Sequence, residues 1–176
     1  MGVKKSKSLR PTLDHFYSKD RYPHLSLSLA NLVPSCAICN STLKGNTDFL
    51  TTPHLHPLFD EENIIFSFDT KKYSILDIVS SFQNIKSELT IKIAASKKCE
   101  KTENSIITFD IFNRYKNLHS EATDFVSSKS TLHRLLSERT IDLDYVNLEH
   151  QVLRFDRRRY SDYLLGKMYA DLYDVF

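Results

Sequence analysis

Near the start of the chain, Asp14, His15, Asn40 and Lys44 carry side chains of the kinds that can hydrolyse a phosphodiester. Hydrolysis at phosphorus needs a water that loses a proton as it attacks. It also needs stabilisation of charge on the phosphoryl oxygens and neutralisation of the leaving oxygen. His15 can take the proton, because imidazole is the side-chain type that exchanges protons near neutral pH. Asp14 and Asn40 offer a carboxylate and an amide oxygen. These are hard donors that suit Mg2+ or Mn2+ better than zinc, and Mg2+ keeps several waters, so two protein ligands plus a substrate phosphate make a sensible set. A cation held there would supply the other two requirements. Lys44 follows Asn40 by one helical turn, where it can meet a phosphate as a point charge.

These residues must be positioned by local elements. Residues 11–17 (PTLDHFY) read as a short strand, and residues 18–30 as a loop with a turn at Pro23 and an alternating, extended LSLSLA run. Residues 32–35 (LVPS) form a short apolar stretch before a C-x-x-C knuckle at Cys36 and Cys39. Asn40 is placed to open a short helix to about Thr47, with Gly45 marking its end. The segment therefore reads strand, loop, strand, turn, short helix. Neighbours on a regular strand face opposite sides, so Asp14 and His15 serve one phosphate only if the strand ends or bulges there, or if the substrate sits astride it.

The phrase DHFYSKDRYPHLSLSLANLVPSCAICNSTLK resembles the HNH, or ββα-metal, nucleases. It is similar to those of bacterial anti-phage systems, including retron- and Septu-associated nucleases that work beside an ATPase. The likeness is strong over residues 11–69 and includes HPLFDEENIIFSF at 56–68. A lone Asp-His pair is an ordinary surface turn; the joint spacing of Asp14, His15, Asn31, Cys36, Cys39, Asn40 and Lys44 carries the resemblance. It implies that His15 is the general base and that Asp14 and Asn40 are ligands to Mg2+ or Mn2+. Asn31 would be the middle Asn, which pins the loop between the strands and orients the histidine, and Lys44 would contact phosphate. With Asn40 at the third position, the chain is an H-N-N variant. The resemblance further implies DNA as substrate, with RNA left open, and a protein partner such as an ATPase or a reverse transcriptase.

One departure concerns zinc. Related proteins often carry a second C-x-x-C upstream of the Asp-His pair, and the two pairs share a structural zinc. Here no cysteine precedes Cys36. Cys36 and Cys39 offer two thiols where a closed zinc site takes four ligands, and Cys99, His24, His54 or His56 could complete it without their spacing selecting any.

The rest of the chain sets limits. Its 176 residues suit one domain, or a small catalytic module with a helical extension, and a 41% hydrophobic share excludes wholesale disorder. A net charge of +2 gives no nucleic-acid signature by itself. Basic residues cluster at Lys4, Lys5, Lys7 and Arg10, and again at Arg154, Arg157, Arg158 and Arg159, where a solvated face is an equally good reading. Three cysteines cannot close a disulfide set, and the chain shows neither a secretory leader nor a membrane span, so a cytoplasmic protein is expected. Strands are expected at IIFSF (64–68), LTIKIAA (89–95) and SIITF (105–109), while 73–82 suits helix or strand. From Asp110 the period lengthens. Ile111, Tyr115, Leu118, Ala122 and Phe125 mark one helix, and Leu132, Leu135 and Leu136 a second. Residues 142–155 suggest a third, and residues 160–175 a last, with Tyr163, Leu164, Met168 and Leu172 on one stripe. The expected fold is α+β: a basic arm at 1–10, a ββα-metal (HNH) hairpin-helix core at 11–69, and further strands and helices over 70–176. The competing reading is a non-catalytic nucleic-acid- or protein-binding module, with the knuckle as scaffold, inside a larger ATPase- or reverse-transcriptase-containing complex.

Overall fold

A computed structural model of the protein describes residues 12–61, 63–68, 90–137 and 145–175. The basic arm at 1–10 and the segment at 73–82 lie outside the described residues. The architecture is α+β, with two small antiparallel sheets and several helices. The chain divides into two compact units: Met1–Asn63 with Lys97–Ile111, and Ile64–Ser96 with Phe112–Phe176.

In the first unit, β1 (Thr12–His15) pairs antiparallel with β2 (Leu32–Ser35), placing Asp14 opposite Val33 and His15 opposite Leu32. The intervening LSLSLA run is not extended. It forms two 3-10 turns, Pro23–Leu25 and Leu29–Asn31, and leaves Leu27 and Leu29 at 91% and 83% exposure. Pro23 sits in the first turn, and the Ser26 hydroxyl donates to its carbonyl at 2.7 Å, a local bond that competes with strand formation. Alternation specifies a strand only where one face is covered, and here neither is.

After the knuckle, the chain forms a π-helix, Ile38–Lys44, two residues earlier than the spacing suggests. Gly45 ends it with φ +49°, its N–H reaching back to the Asn40 carbonyl at 3.2 Å. A Cβ there would meet nothing within 4 Å, so it is the left-handed backbone that favours glycine. The SIITF segment is helical: it completes α1 (Glu100–Thr108). Glu100 and Glu103 lie in the first turn, where carboxylates favour a helix start. The buried positions of α1 are Thr102 and Ser105, one helical turn apart, while Ile107 is 75% exposed. The β-branched run suggests a strand, but the burial follows a polar stripe with helical spacing.

The second unit holds β3 (Ile64–Phe68) paired antiparallel with β4 (Ile91–Ala95), with Phe66 opposite Ile93. Its helices follow α2 (Ile111–Tyr115) as α3 (His119–Ser137), α4 (Tyr145–Leu153) and α5 (Gly166–Val175). The periodicity starting at Ile111 breaks after Tyr115, and Leu132 continues α3 rather than opening a helix of its own. Phe66 and Phe68 from β3, Phe125 and Leu132 from α3, and Met168 and Leu172 from α5 are buried in the core of this unit. The Phe66 N–H donates to Asp171 at 3.0 Å, which ties the sheet to α5. The Lys129 ammonium, buried on α3, donates to the Tyr173 carbonyl near the end of α5, where a positive charge complements the helix dipole.

The last apolar stripe starts later than the sequence suggests. Residues Arg157–Asp162 form a 3-10 segment, and Leu164 is 96% exposed. α5 begins at Gly166, where a Cβ would fall 1.7 Å from the Tyr160 carbonyl oxygen, so only glycine allows this approach. Met168 is fully buried and Leu164 is not. Met168→Ala is therefore expected to lower stability by roughly 2–5 kcal/mol. Leu164→Ala should stay within about 0.5 kcal/mol. Urea denaturation of the two variants checks the assignment.

Candidate active site

The candidate site lies in the first unit, where β1 meets the end of the π-helix. Lys44, the last π-helical residue, does not extend outward. Its Nζ lies 3.0 Å from each Asp14 carboxylate oxygen and also donates to the His15 main-chain carbonyl. The Lys44 side chain is 6% exposed and that of Asp14 16%. An ammonium has three N–H donors, and three oxygens take them. The Phe49 ring closes over it at 5.1 Å.

His15 is the last residue of β1. Its Nε2 lies 3.0 Å from the Ser26 carbonyl oxygen. A carbonyl only accepts, so Nε2 carries the hydrogen and the neutral ring leaves Nδ1 with its lone pair. The anchoring loop is itself held by Asn31, which is 3% exposed. Asn31 Oδ1 accepts from the Tyr17 N–H at 2.7 Å, and Nδ2 donates to the carbonyls of Tyr17 at 3.0 Å and Leu25 at 3.2 Å. One amide thus clamps the residue two after His15 to the residue preceding Ser26. The Phe16 N–H adds a main-chain bond to the Asn31 carbonyl at 2.8 Å.

Asn40 stands half-buried on the π-helix that also bears Lys44, and its N–H donates to the Cys36 carbonyl at 3.0 Å. The structure thus brings Asp14, His15 and Lys44 into direct contact, and Asn31 braces the loop that bonds His15. Asn40 shares the helix with Lys44, and no hydrogen bond of its side chain is seen among the described residues. As a test of fit for Mg2+ or Mn2+, the donor chemistry is informative. The Asp14 carboxylate and the His15 carbonyl meet a positive charge, the Lys44 ammonium, with three oxygen atoms. Hard oxygen donors of this kind match these cations. Zinc is a different matter. The Cys39 N–H donates to Cys36 Sγ at 3.4 Å, and neither cysteine is in a disulfide. Among the described residues, no three His, Cys, Asp or Glu side chains converge as a metal-ligand group.

A second layer of buried polar residues supports the hairpin. His54, 2% exposed, lies at 2.6 Å through Nδ1 from the Thr52 carbonyl and at 2.8 Å through Nε2 from the Thr108 hydroxyl, and stacks on Phe49 with centroids 3.8 Å apart. His56 donates through Nε2 to the Ala30 carbonyl at 3.0 Å and accepts at Nδ1 from the Leu58 N–H at 3.2 Å. Asp48 accepts from Arg21 at 3.0 Å, Tyr22 at 2.9 Å and the Leu50 N–H at 3.1 Å. Burial pushes the Asp48 carboxyl up, but the Leu50 N–H, the Tyr22 hydroxyl and Arg21 together hold it below its ordinary value. The two histidines flank Leu55 between Pro53 and Pro57, a pattern that reads as a turn packed on the catalytic unit, and both are buried.

The C-terminal arginine cluster of the second unit is largely paired within the chain. Arg157 binds Asp174 at 2.6 Å, Arg158 binds Asp156 at 3.3 Å and Arg159 binds Asp162 at 2.6 Å. These carboxylates offset much of the cluster's positive charge. Among the described residues, no helix is long and apolar enough to cross a membrane.

Comparison with known proteins gives one partial likeness. The chain is 42% identical to Septu protein PtuB of Bacillus thuringiensis over 48 residues. The match spans 27% of this chain and 18% of that protein, so it concerns a segment and not the whole of either. No family model matches the chain, and no solved structure matches it.

Two outcomes test the supporting layer. Asn31→Ala strips three bonds from a buried amide and leaves the Tyr17 N–H without its partner. A buried donor so orphaned costs about 1–3 kcal/mol, so the urea midpoint should fall accordingly. For His54, burial pushes the imidazole below its ordinary range, the Thr52 carbonyl pulls it up, and Lys44 pushes it down. Below its ordinary value, near 6.5, the unfolded chain binds a proton that the folded chain refuses, so stability falls as pH drops through that value. His54→Gln should flatten this acid-side loss in urea midpoints measured between about pH 7.5 and 5.

Proposed function

We propose that the chain is an HNH-type, metal-dependent endonuclease that cuts DNA as an effector of anti-phage defence. The observation that carries this reading is an anchored imidazole on the residue that follows a carboxylate holding a positive charge. His15 is anchored through Nε2 on the Ser26 carbonyl at 3.0 Å, and the adjacent Asp14 gathers a positive charge with both carboxylate oxygens. The β1–β2 hairpin followed by the π-helix supports a ββα-metal arrangement. The partial likeness to Septu protein PtuB supports the defence setting.

In this mechanism His15 accepts the proton of the attacking water at Nδ1. Because Nε2 is held by the carbonyl, the ring cannot turn to present the wrong nitrogen, and its protonated form keeps the same anchor. Asn31 acts as a positioning residue, fixing the loop that carries Ser26. Asp14 and Asn40 would hold Mg2+ or Mn2+, which when bound supplies charge stabilisation at the phosphoryl group and neutralises the leaving oxygen. A protein partner, an ATPase or a reverse transcriptase of the same defence complex, belongs to this reading. RNA in place of DNA would change the substrate but not the chemistry.

One observation favours the second reading, a non-catalytic binding module: both Asp14 oxygens are already engaged by Lys44. Supercoiled plasmid incubated with purified protein and Mg2+ or Mn2+ separates the two. Nicking is expected, and His15→Ala should lose roughly 10²–10⁴-fold in rate, the range of a general base. Fold and DNA retention on a native gel should be kept. Plasmid that is retained but stays supercoiled would favour the binding module, and His15→Ala cutting at the full rate would overturn the mechanism.

A further inference from the structure

We propose that the Lys44 ammonium is a built-in occupant of the cation seat, and that a divalent cation reaches Asp14 only by displacing it. This deepens the nuclease reading and rests on its assignment of Asp14 as a ligand. Three observations support it. First, the ammonium is saturated by oxygens of the seat itself: both oxygens of Asp14 at 3.0 Å and the His15 carbonyl. Second, Lys44 is buried, and among the described residues no other cation bonds Asp14, so Lys44 alone balances a carboxylate that is 16% exposed. A metal ion bound to the same carboxylate would stand within a few ångströms of the ammonium. Two cations sharing one carboxylate at that range repel strongly, and the repulsion is greater where water is scarce. Third, Lys44 is the last helical residue and is followed by Gly45, where a Cβ would meet no atom within 4 Å. The space on the Cβ side of Gly45 is therefore open, and the backbone there is held by the bonds from Gly45 N–H to the Asn40 carbonyl and from Thr47 N–H to the Lys44 carbonyl.

Displacement would reconcile two roles for one lysine. In the resting chain Lys44 neutralises Asp14. Once released, its ammonium stands beside the seat, where a substrate phosphate would lie, and can meet that phosphate as a point charge. The seat would then fill only above a threshold of divalent cation that Lys44 sets.

The test measures Mn2+ binding directly, by the free-Mn2+ signal in electron paramagnetic resonance, on the full chain and on Lys44→Met and Lys44→Arg. Removing the competitor should tighten Mn2+ binding at least tenfold in Lys44→Met, while Lys44→Arg keeps weak binding. A lysine with a purely structural role would leave the affinity unchanged or weaken it. Circular dichroism establishes that each variant is folded. A second measurement needs no variant. Reductive methylation of the native chain, read by mass spectrometry, should spare Lys44 without Mn2+ and label it severalfold more once Mn2+ is added. If Lys44→Met does not fold, this labelling decides. Equal or weaker Mn2+ binding in Lys44→Met, or Lys44 still protected at saturating Mn2+, overturns the displacement. If that happens while plasmid is still nicked, the nuclease reading stands and only the displacement falls. If neither native chain nor variant binds Mn2+, both fall.

Discussion

A buried ion pair joins the two ends of the candidate site. Lys44 and Asp14 lie 30 residues apart and meet at 3.0 Å, and Lys44 also holds the carbonyl of His15. This fastens the end of the π-helix to the end of β1, the strand that carries both the carboxylate and the imidazole. Charges taken out of water are costly to strand: removing one partner of a buried pair costs roughly 3–5 kcal/mol. That is a large part of the roughly 5–15 kcal/mol that holds a small domain together. The pair also has direction, because three donors must meet three acceptors. An apolar contact of similar strength would tolerate sliding along the strand and would not fix where the carboxylate points.

The rest of the first unit follows the same principle. Phe16 and Phe49 are its buried large apolar side chains among the described residues, and around them lie Asn31, Lys44, Asp48, His54 and His56, each hydrogen-bonded. Such a core gives less hydrophobic stabilisation than one filled with aliphatic residues, but it is more exact in geometry. Asn31 illustrates the trade: one side chain commits three hydrogen bonds to the loop that anchors the imidazole. The second unit is built in the opposite way, with Phe66, Phe125, Leu132, Met168 and Leu172 packed between a two-stranded sheet and its helices.

Much of this could be read from the residue order, and the failures share a cause. β1, β3 and β4 lie where their apolar patterns put them, and β2 takes up the short apolar LVPS stretch. The chemistry-bearing pair at Asp14 and His15 was visible because its residue types are rare together. LSLSLA failed because alternation says nothing about whether a partner strand exists, and in this loop a proline turn and a serine hydroxyl decide the backbone. SIITF failed because β-branched residues mark strands on average, while here the buried stripe of the helix is Thr102 and Ser105. The inward turn of Lys44 was not legible at all. Its place one helical turn after Asn40 reads as a phosphate contact, and only the fold brings it to a carboxylate 30 residues earlier. His54 likewise depends on the Thr108 hydroxyl, 54 residues away.

The return of Lys97–Ile111 to the first unit has a practical meaning. α1 closes over the region after the π-helix: Ser105 binds the Leu55 N–H, Asn104 the Pro53 carbonyl, and Lys101 the Asp60 carboxylate. A fragment cut from the chain after the hairpin would lack this belt, so the catalytic-looking stretch is not by itself a portable cassette. The seam where the belt joins is narrow. Asn63 Nδ2 donates to the Lys97 carbonyl and the Lys97 N–H donates back to Asn63 Oδ1, each at 2.9 Å. The two cut ends thus stand side by side, and a brief linker from Asn63 to Lys97 would splice the unit into one continuous miniature with residues 64–96 excised.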